Sequence, residues 1–355
     1  MVNELLKYEP YRLDHNAKQA LLLKELVELH EHHLQNCEAY NKITGVLYNH
    51  PYKSIEDLPF LPVSAFKHFD LLSIPPDKVY KTLLSSGTTG STPSKIFLDA
   101  ETSRNQTLAL AKIMQFVLGE QRLPMLIVDS DSLLKNRQMF SARGAGVIGM
   151  STFGKDHFYL LDENMQPKED KLKEFLSKYN GKKILIFGFT FMVWQYLYEL
   201  SFSEKIDLSN AILVHSGGWK KLIEKSISNE VFKGKLSGKF GLGHCYNFYG
   251  MVEQVGSVFL ECEEGFLHAP NFADIITRHA EDFSPVKNGE EGLVQVLSTL
   301  PHSYPGHSLL TEDMGIVHGE DDCKCGRMGK YFSIVGRIKK AELRGCSDTY
   351  AASMA

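Results

Sequence analysis

The chain has 355 residues, of which 43% are hydrophobic and 23% are charged, as in globular proteins with a substantial core. Its 39 basic and 43 acidic residues leave a formal net charge of −4, which argues against a nucleic-acid-binding surface as its main role. No stretch approaches the ~18 consecutive apolar residues of a membrane span, and the first residues are too charged for a signal peptide. Six cysteines in a chain of this length do not form a disulfide framework, so we expect a cytoplasmic protein with reduced thiols.

Apolar residues at roughly helical spacing predict one long helix over residues 16–44. Residues 51–76 are interrupted by prolines, which indicates a segment that wraps the surface. Two strand-like runs follow, at residues 79–84 and 95–98, and a polar loop separates them.

Strand and helix patterns alternate after this loop. The predicted strands are residues 123–128, 183–187 and 211–215, and the predicted helices are residues 101–118, 171–179, 190–200 and 219–231. This alternation predicts an α/β fold with a mostly parallel sheet and helices on both of its faces. Beyond about residue 255 the pattern changes to short strands separated by turns, which predicts a small antiparallel β-subdomain over residues 255–335.

The polar loop carries the most informative pattern in the chain, Ser-Ser-Gly-Thr-Thr-Gly-Ser-Thr-Pro-Ser-Lys, over residues 85–95. Glycine lets backbone N–H groups approach phosphate oxygens, the hydroxyls donate to the same oxygens, and the lysine neutralises charge. The pattern lacks the Gly-Lys-Ser/Thr of a Walker A loop. The candidate phosphate-binding residues are Ser85, Ser86, Gly87, Thr88, Thr89, Gly90 and Lys95. The alternative is a polar hairpin loop without a ligand.

The order of residues in this loop resembles the phosphate loop of adenylate-forming enzymes, which join a carboxylate to AMP and release pyrophosphate. A second block, residues 247–253, resembles the segment of that superfamily that lies against the nucleotide. The resemblance implies that Tyr249, followed by Gly250, stacks on adenine, and that Glu253 holds Mg²⁺ on the phosphates of ATP. The chain departs from the superfamily pattern at Val252, where a threonine is usual.

Three further segments resemble superfamily motifs and fall in the expected order. Ser216, Gly217 and Gly218 follow a predicted strand and would lie against the adenine; the alternative is a simple helix start. Asp313 would bind the ribose hydroxyls, although an Asp before a Gly is most often a turn residue. Arg337 resembles the hinge residue after which the small C-terminal domain begins, and would touch ribose or phosphate. Residues 187–194 are either a wall of the acyl pocket or core.

Only 18 residues follow Arg337, so we expect one large adenylate-forming domain over residues 1–335 and a hinge with a short tail over residues 336–355. The swinging C-terminal domain of full-length ligases is expected to be absent. Cys346 is then the candidate acyl acceptor, because nine extended residues reach roughly 30 Å and a thiolate attacks an acyl adenylate readily. The alternative is an inert tail cysteine.

Together these features resemble one family closely, the acyl-protein synthetases of the bacterial luminescence fatty-acid reductase system. The resemblance implies an ATP-dependent acid–thiol ligase that activates a fatty acid and acylates a cysteine near its own C-terminus. It also implies a reductase protein as the partner that receives the acyl group. Two alternatives stay open: an acyl- or aryl-CoA ligase with a short tail, and a non-catalytic nucleotide-binding subunit of a reductase complex.

Two other patterns concern metals and dinucleotides. Cys262, His268, Cys323 and Cys325 form two ligand pairs that suit tetrahedral structural Zn²⁺, and the alternative is buried free thiols. Residues 144–149 match the G-x-G-x-x-G dinucleotide fingerprint, but the residues before them are too polar for the buried strand that the fingerprint requires.

Overall fold

The structure is a computed structural model and describes residues 3–45, 51–85, 92–135, 142–219 and 224–338. The chain forms two compact units. The first unit contains the described residues up to Phe116 and from Gly250 onward, and the second unit is Val117–Tyr249. Within the described ranges, no helix combines the length and the apolar character needed to cross a bilayer.

The elements alternate along the chain as follows. The helices are α1 (His15–Asn36), α2 (Glu38–Thr44), α3 (Ala65–His68), α4 (Ala100–Leu118), α5 (Ser132–Lys135), α6 (Ala142–Ser151), α7 (Glu169–Lys178), α8 (Thr190–Val193) and α9 (Asn229–Phe240). The strands are β1 (Leu61–Pro62), β2 (Lys81–Leu84), β3 (Lys95–Leu98), β4 (Leu123–Ser130), β5 (Gly154–Leu161), β6 (Ile184–Phe189), β7 (Ala211–Ser216), β8 (His244–Tyr249), β9 (Phe259–Glu261), β10 (Leu267–His268), β11 (Ala273–Arg278), β12 (Glu291–Ser298), β13 (Ser308–Glu320) and β14 (Lys330–Arg337).

The first unit is built on antiparallel strands in the order β11-β12-β13-β14-β10-β9, and β1 pairs parallel with β13. Strands β11 and β12 are buried along nearly their whole length, so both of their faces are covered. A separate two-stranded antiparallel sheet joins β2 and β3. The predicted antiparallel β-subdomain is thereby confirmed.

The N-terminal helix is interrupted, so the prediction of one helix over residues 16–44 is wrong. α1 ends at Asn36. The next residue, Cys37, has an extended backbone (φ −125°, ψ 99°), and α2 begins at Glu38. The Cys37 N–H still donates to the His33 carbonyl at 2.9 Å. The change of direction buries Tyr40, which is 1% exposed, against His30. Burial of this large aromatic side chain outweighs the regular continuation of the helix.

The second unit is a parallel sheet in the order β8-β7-β6-β4-β5, which confirms the predicted α/β architecture. Strands β6 and β7 are entirely buried, as expected for central strands of a parallel sheet covered by helices. The glycines of residues 144–149 lie inside helix α6. These glycines therefore do not form the strand-to-helix turn that a dinucleotide fingerprint needs.

Two helix predictions in the second unit need correction. The segment 190–200 is a short α-helix followed by a π-helical turn, Trp194–Tyr198. Of the helix predicted over residues 219–231, residues 220–223 lie outside the described part of the chain. In the described residues that follow them, the α-helix begins at Asn229, where Ser228 caps it by accepting a hydrogen bond from the Val231 N–H at 3.3 Å. α9 ends at Gly241, which adopts the left-handed conformation (φ 73°) that favours glycine.

Candidate functional site

The two ends of the predicted phosphate loop lie side by side in the first unit. β2 and β3 pair with Leu84 opposite Lys95, and the Ser94 N–H donates to Ser85 Oγ at 2.7 Å. The loop therefore closes a two-stranded hairpin, and Lys95 is the first residue of the returning strand. The residues at its tip, Ser86, Gly87, Thr88, Thr89 and Gly90, lie outside the described part of the chain.

The ammonium group of Lys95 pairs with a carboxylate that the sequence did not single out. Lys95 Nζ lies 3.1 Å from Asp70 Oδ1, and the two side chains are 43% and 60% exposed. Asp70 follows the short helix α3 by two residues. An exposed pair of this kind contributes only about 0–1 kcal/mol, so the ammonium group can exchange Asp70 for a phosphate oxygen at little cost.

Glu253 lies on a 3₁₀ turn, Val252–Gln254, and is 7% exposed. Burial raises the pKa of its carboxyl, and the nearby Ser94 hydroxyl lowers it, as do the positive charges of Lys67 and Arg337. Ser94 Oγ makes no hydrogen bond of standard geometry, so its effect is that of a close dipole. The phosphate-loop hairpin and the Glu253 turn therefore meet within the first unit. A buried carboxylate beside a hydroxyl-rich loop is suited to bind a divalent cation together with phosphate.

Neighbouring residues hold the Glu253 turn in place. The Gln254 side-chain amide donates to the carbonyls of Val296 and Gly306, at 3.1 and 2.8 Å. Gly306 packs so closely that a Cβ atom there would lie 2.8 Å from the Glu253 carbonyl oxygen and 2.3 Å from the Tyr304 ring. The position of Glu253 thus depends on backbone packing against the segment that precedes β13.

Asp313 and Arg337, both predicted to contact ribose or phosphate, are cross-strand neighbours. They face each other in the register of β13 and β14, and Arg337 Nε donates to Asp313 Oδ1 at 3.1 Å. The side chains are 14% and 35% exposed. The Asp313 N–H donates to Thr311 Oγ1 at 3.1 Å. The structure therefore brings the two predicted residues together and fixes the backbone of Asp313.

The second unit carries the residues predicted for the adenine. Ser216 ends β7 and Tyr249 ends β8, two adjacent parallel strands, and Ser216 Oγ donates to the Phe248 carbonyl at 2.8 Å. Carboxyl ends of parallel strands form the ligand-binding edge of open α/β sheets. Gly217 has φ 83°, and a Cβ atom there would lie 3.3 Å from the Phe189 ring. Ser216, Gly217 and Tyr249 thus lie at one edge of this sheet. Gly218 is the residue after Gly217 in the chain.

His215 is a buried residue at this edge that sequence reasoning missed. It is 1% exposed, and its Nδ1 lies 2.9 Å from Thr190 Oγ1. Burial lowers the pKa of His215 to about 3, so the ring is neutral. Its Nε2 has no hydrogen-bond partner among the described residues. A single histidine inside a strand carries no periodic signal, so no pattern in the sequence selects it.

The aromatic stretch at residues 187–194 is part of the core of the second unit. Trp194 is 6% exposed and stacks on Tyr198, with ring centroids 4.4 Å apart. Trp219 meets Trp194 edge-on at 5.3 Å. These contacts agree with the core role that the sequence suggests for this stretch. Its role in an acyl pocket stays a prediction.

The first unit brings Cys262, His268, Cys323 and Cys325 together, and we call them the Cys₃His cluster. One ligand atom from each of the four lies within 4.8 Å of all the others. Cys262 Sγ is 3.9 Å from Cys323 Sγ, and Cys325 Sγ is 3.4 Å from His268 Nε2. Three of the four residues are buried and Cys325 is half-buried. Three sulfurs and one imidazole at such distances are the ligand set of structural zinc sites.

Two short turns position the Cys₃His cluster. Cys262 and His268 flank the turn between β9 and β10, where the Cys262 N–H donates to the Phe266 carbonyl at 2.8 Å. Cys323 and Cys325 lie on the turn between β13 and β14. Burial raises the pKa of Cys325 to about 12 and lowers that of His268 to about 3. The Cys325 thiol is therefore protonated at neutral pH, and a bound metal would have to displace its proton.

Cys346, predicted to accept the acyl group, lies outside the described residues. Its role stays a prediction.

Comparison with solved structures shows which fold the chain has. The crystal structure of an open conformation of 2-hydroxyisobutyryl-CoA ligase in complex with 2-HIB-AMP and CoA is similar to 94% of this chain and 77% of that one, with a TM-score of 0.72 and 16% identity. The same ligase in its thioesterification state gives a TM-score of 0.69 at 15% identity, over 94% and 70% of the two chains. The chain therefore has the fold of an adenylate-forming ligase.

The family follows from the sequence comparisons. The profile of the acyl-protein synthetase family LuxE matches residues 2–355, so the chain belongs to that family. The long-chain-fatty-acid–luciferin-component ligase of Vibrio harveyi is 23% identical over 337 residues, which are 92% of this chain and 85% of that protein. The ligase of the same name from Aliivibrio fischeri is 24% identical over 307 residues, 83% and 78% of the two chains. The resemblance stated from the motifs and the prediction of an ATP-dependent ligase are thereby confirmed.

Proposed function

We propose that this protein activates a fatty acid as acyl-AMP and transfers the acyl group to its own Cys346, from which a reductase partner takes it. Family membership supports the acid activation. The structural observation that supports the site is that the Ser94 hydroxyl lies close enough to the Glu253 carboxyl to lower its pKa. Because Ser94 directly precedes Lys95, a phosphate held by the loop would lie beside a group that binds a divalent cation.

In this proposal each group of residues binds a different part of ATP. Lys95 and the loop hydroxyls bind the phosphates, and Asp313 with Arg337 binds the ribose. The adenine is bound by Tyr249, Gly250 and residues 216–218. Mg²⁺ held by Glu253 would neutralise charge on the phosphate oxygens when bound. Catalysis in this scheme depends on positioning and electrostatics, and it requires no strong general base.

The bonds change in two steps. An oxygen of the fatty-acid carboxylate attacks the α-phosphorus of ATP, the bond from that phosphorus to the bridging oxygen breaks, and pyrophosphate leaves. The thiolate of Cys346 then attacks the acyl carbon, the carbon–oxygen bond to AMP breaks, and a thioester remains on the protein. Both leaving groups depart as anions, and the thiol proton goes to solvent.

The experiment that tests this function has two readouts. With ATP and radiolabelled fatty acid, label should remain on the protein and be released by hydroxylamine, and Cys346→Ser should lose it while Ser347→Ala keeps it. ATP–pyrophosphate exchange driven by the acid should survive in Cys346→Ser but fall about 100-fold or more in Lys95→Ala. Lys81→Ala, an exposed lysine of the same hairpin, is the matched control. Exchange that needs no acid, or label that persists in Cys346→Ser, would contradict the proposal.

A coenzyme A ligase is the second candidate, because the fold is shared with 2-hydroxyisobutyryl-CoA ligase. Coenzyme A should then become acylated in a reaction that is equally fast in Cys346→Ser. Under our proposal the mutant makes acyl-AMP but no thioester.

We further propose that the Cys₃His cluster binds structural Zn²⁺. The distances among its ligand atoms and its burial support this assignment. Metal analysis of the purified protein should find one zinc per chain, and Cys325→Ala should lose it. The buried Cys37 provides the control, because Cys37→Ala should keep its zinc.

A further inference from the structure

Arg327 is a buried cation whose charge the protein leaves largely uncompensated. It is 3% exposed. Among the described residues, the one carboxylate within 4 Å of its guanidinium belongs to Glu263, at 3.6 Å, and the Glu263 side chain is 58% exposed. Charged side chains are almost never fully buried unless they are paired, and an unpaired buried charge is costly. The burial of Arg327 therefore calls for a negative charge nearby.

Apart from the exposed Glu263, the groups that hold the Arg327 side chain carry no full charge. Its Nη1 donates to the carbonyls of Leu260 and Glu261, at 3.3 and 3.1 Å. Its guanidinium carbon lies 5.1 Å from the ring centroids of both Tyr11 and Phe116. These carbonyls and rings attract a cation, and they fix the guanidinium in one place.

The Cys₃His cluster lies beside Arg327. The backbone N–H of Arg327 donates to Cys325 Sγ at 3.5 Å, and the positive charge of Arg327 acts on His268. The carbonyl of Leu260, which accepts from Arg327, belongs to the residue paired with His268 across β9 and β10. Arg327 thus lies on the turn that carries Cys323 and Cys325, and its side chain contacts strand β9, which ends directly before Cys262.

The charge of a loaded cluster would match the cation. Three thiolates and a neutral imidazole around Zn²⁺ carry a net charge of −1. We propose that Arg327 is the counter-cation of the zinc-loaded Cys₃His cluster. The inference rests on the zinc assignment above and makes Arg327 a positioning residue, since it would touch the ligands and not the metal.

A second contribution comes from the same residue. Backbone N–H donors to thiolate sulfur stabilise the ionised form and orient the ligand, and loss of such outer-shell partners typically costs about 10- to 100-fold in metal affinity. The side chain and the backbone of Arg327 would therefore act together. Because every residue except proline keeps the backbone N–H, the side-chain variants measure the contribution of the charge.

The test compares zinc affinity, measured by competition with a chromophoric chelator, in the full-length protein and its variants. Arg327→Met removes the charge and should weaken zinc binding about 10- to 100-fold. Arg327→Lys retains the charge and should bind zinc more tightly than Arg327→Met. Arg104→Met, an exposed arginine on α4, is the control and should bind as the wild type does. Co²⁺ loading adds a second readout, since Arg327→Lys should keep the thiolate-to-cobalt absorption of the wild type.

The possible results separate the inference from its premise. Wild-type affinity in Arg327→Met, or loss of zinc from Arg327→Lys as complete as that from Cys325→Ala, would overturn the role of the charge. If Arg327→Met does not fold, retention or loss of zinc by Arg327→Lys decides the question. A wild-type protein that binds no zinc would remove the zinc assignment itself, and acid-dependent ATP–pyrophosphate exchange would still test the ligase function separately.

Discussion

Asp313 and Arg337 form an ion pair across β13 and β14, with 3.1 Å between Oδ1 and Nε. Both residues were assigned to the nucleotide from separate motifs, yet the strand register makes them direct partners. A carboxylate oriented by an arginine can accept hydrogen bonds from the two ribose hydroxyls without rearranging. The pair is therefore expected to act as one unit.

We predict that Asp313→Ala raises the KM for ATP about 10- to 100-fold, because it removes hydrogen bonds to a charged group. Arg337→Ala should do the same, and the double variant should be little worse than either single one. Acid-dependent ATP–pyrophosphate exchange measures all three. Effects that simply add would show that the two residues act independently.

For the Lys95–Asp70 ion pair we predict a change of the KM for ATP in the opposite direction. Asp70 competes with phosphate for the Lys95 ammonium group and adds negative charge near the phosphates. Asp70→Asn should therefore lower the KM for ATP, by up to about fivefold if the exposed pair is worth about 1 kcal/mol. Asp77→Asn, on the exposed turn Pro76–Lys78, is the control. An increase in KM comparable to that of Lys95→Ala would mean instead that Asp70 positions the lysine.

Gly306 tests how strongly backbone packing fixes Glu253. A Cβ atom at this position would meet the Tyr304 ring at 2.3 Å and the Glu253 carbonyl at 2.8 Å. Gly306→Ala should reduce the free energy of unfolding by about 1–3 kcal/mol and lower the exchange rate as well, because the turn must shift. At Gly238, on α9, a Cβ atom would have no neighbour within 4 Å, and Gly238→Ala should stabilise by about 0.5–1 kcal/mol. Urea unfolding measures both changes. If Gly306→Ala left the free energy of unfolding unchanged, the Glu253 turn would be able to shift without cost.

A cluster of buried histidines predicts a pH dependence of stability. His33 and His307 stack with centroids 4.9 Å apart, and burial lowers the pKa of His307 to about 3 and that of His33 well below its usual value. Both are neutral in the folded protein, while the unfolded chain takes up protons near pH 6.5. Their contribution to stability is therefore complete above pH 6.5 and is lost as the pH falls below it.

The expected slope is about 1.4 kcal/mol per pH unit for each buried histidine. Urea unfolding between pH 7.5 and pH 5.5 measures it. His307→Gln should reduce the slope, and the same change at the exposed His279 should leave it unchanged. A free energy of unfolding that stays constant over this range in the wild type would contradict the assignment of neutral buried rings.

The sequence predicted those features that repeat or follow a fixed order. Buried runs such as Ile184–Phe189 and Ala211–Ser216 indicated the parallel strands, and the loop ending at Lys95 indicated the superfamily. The break at Cys37 and the start of α9 at Asn229 escaped prediction. The hydrophobic spacing continues through both positions, and tertiary burial and a local cap decide the outcome.

Single charged residues were the other omission. Asp70 and Lys67 lie on or just after a four-residue helix, which has too few residues for a periodic signal. Arg327 follows the second cysteine pair by two residues, and that proximity was the one hint in the sequence. Their importance depends on distances to residues far away in sequence, which only the fold supplies.

In the proposed reaction this protein couples a fatty acid to AMP before any thiol takes part. Incorporation of radiolabelled pyrophosphate into ATP, measured with purified Cys346→Ser and fatty acids of different chain lengths, tests it most directly. We predict exchange that requires the acid, depends on its length and disappears in Lys95→Ala and Glu253→Gln. Exchange at the same rate without any acid, or none with any acid while the wild type still forms the labelled thioester, would contradict it.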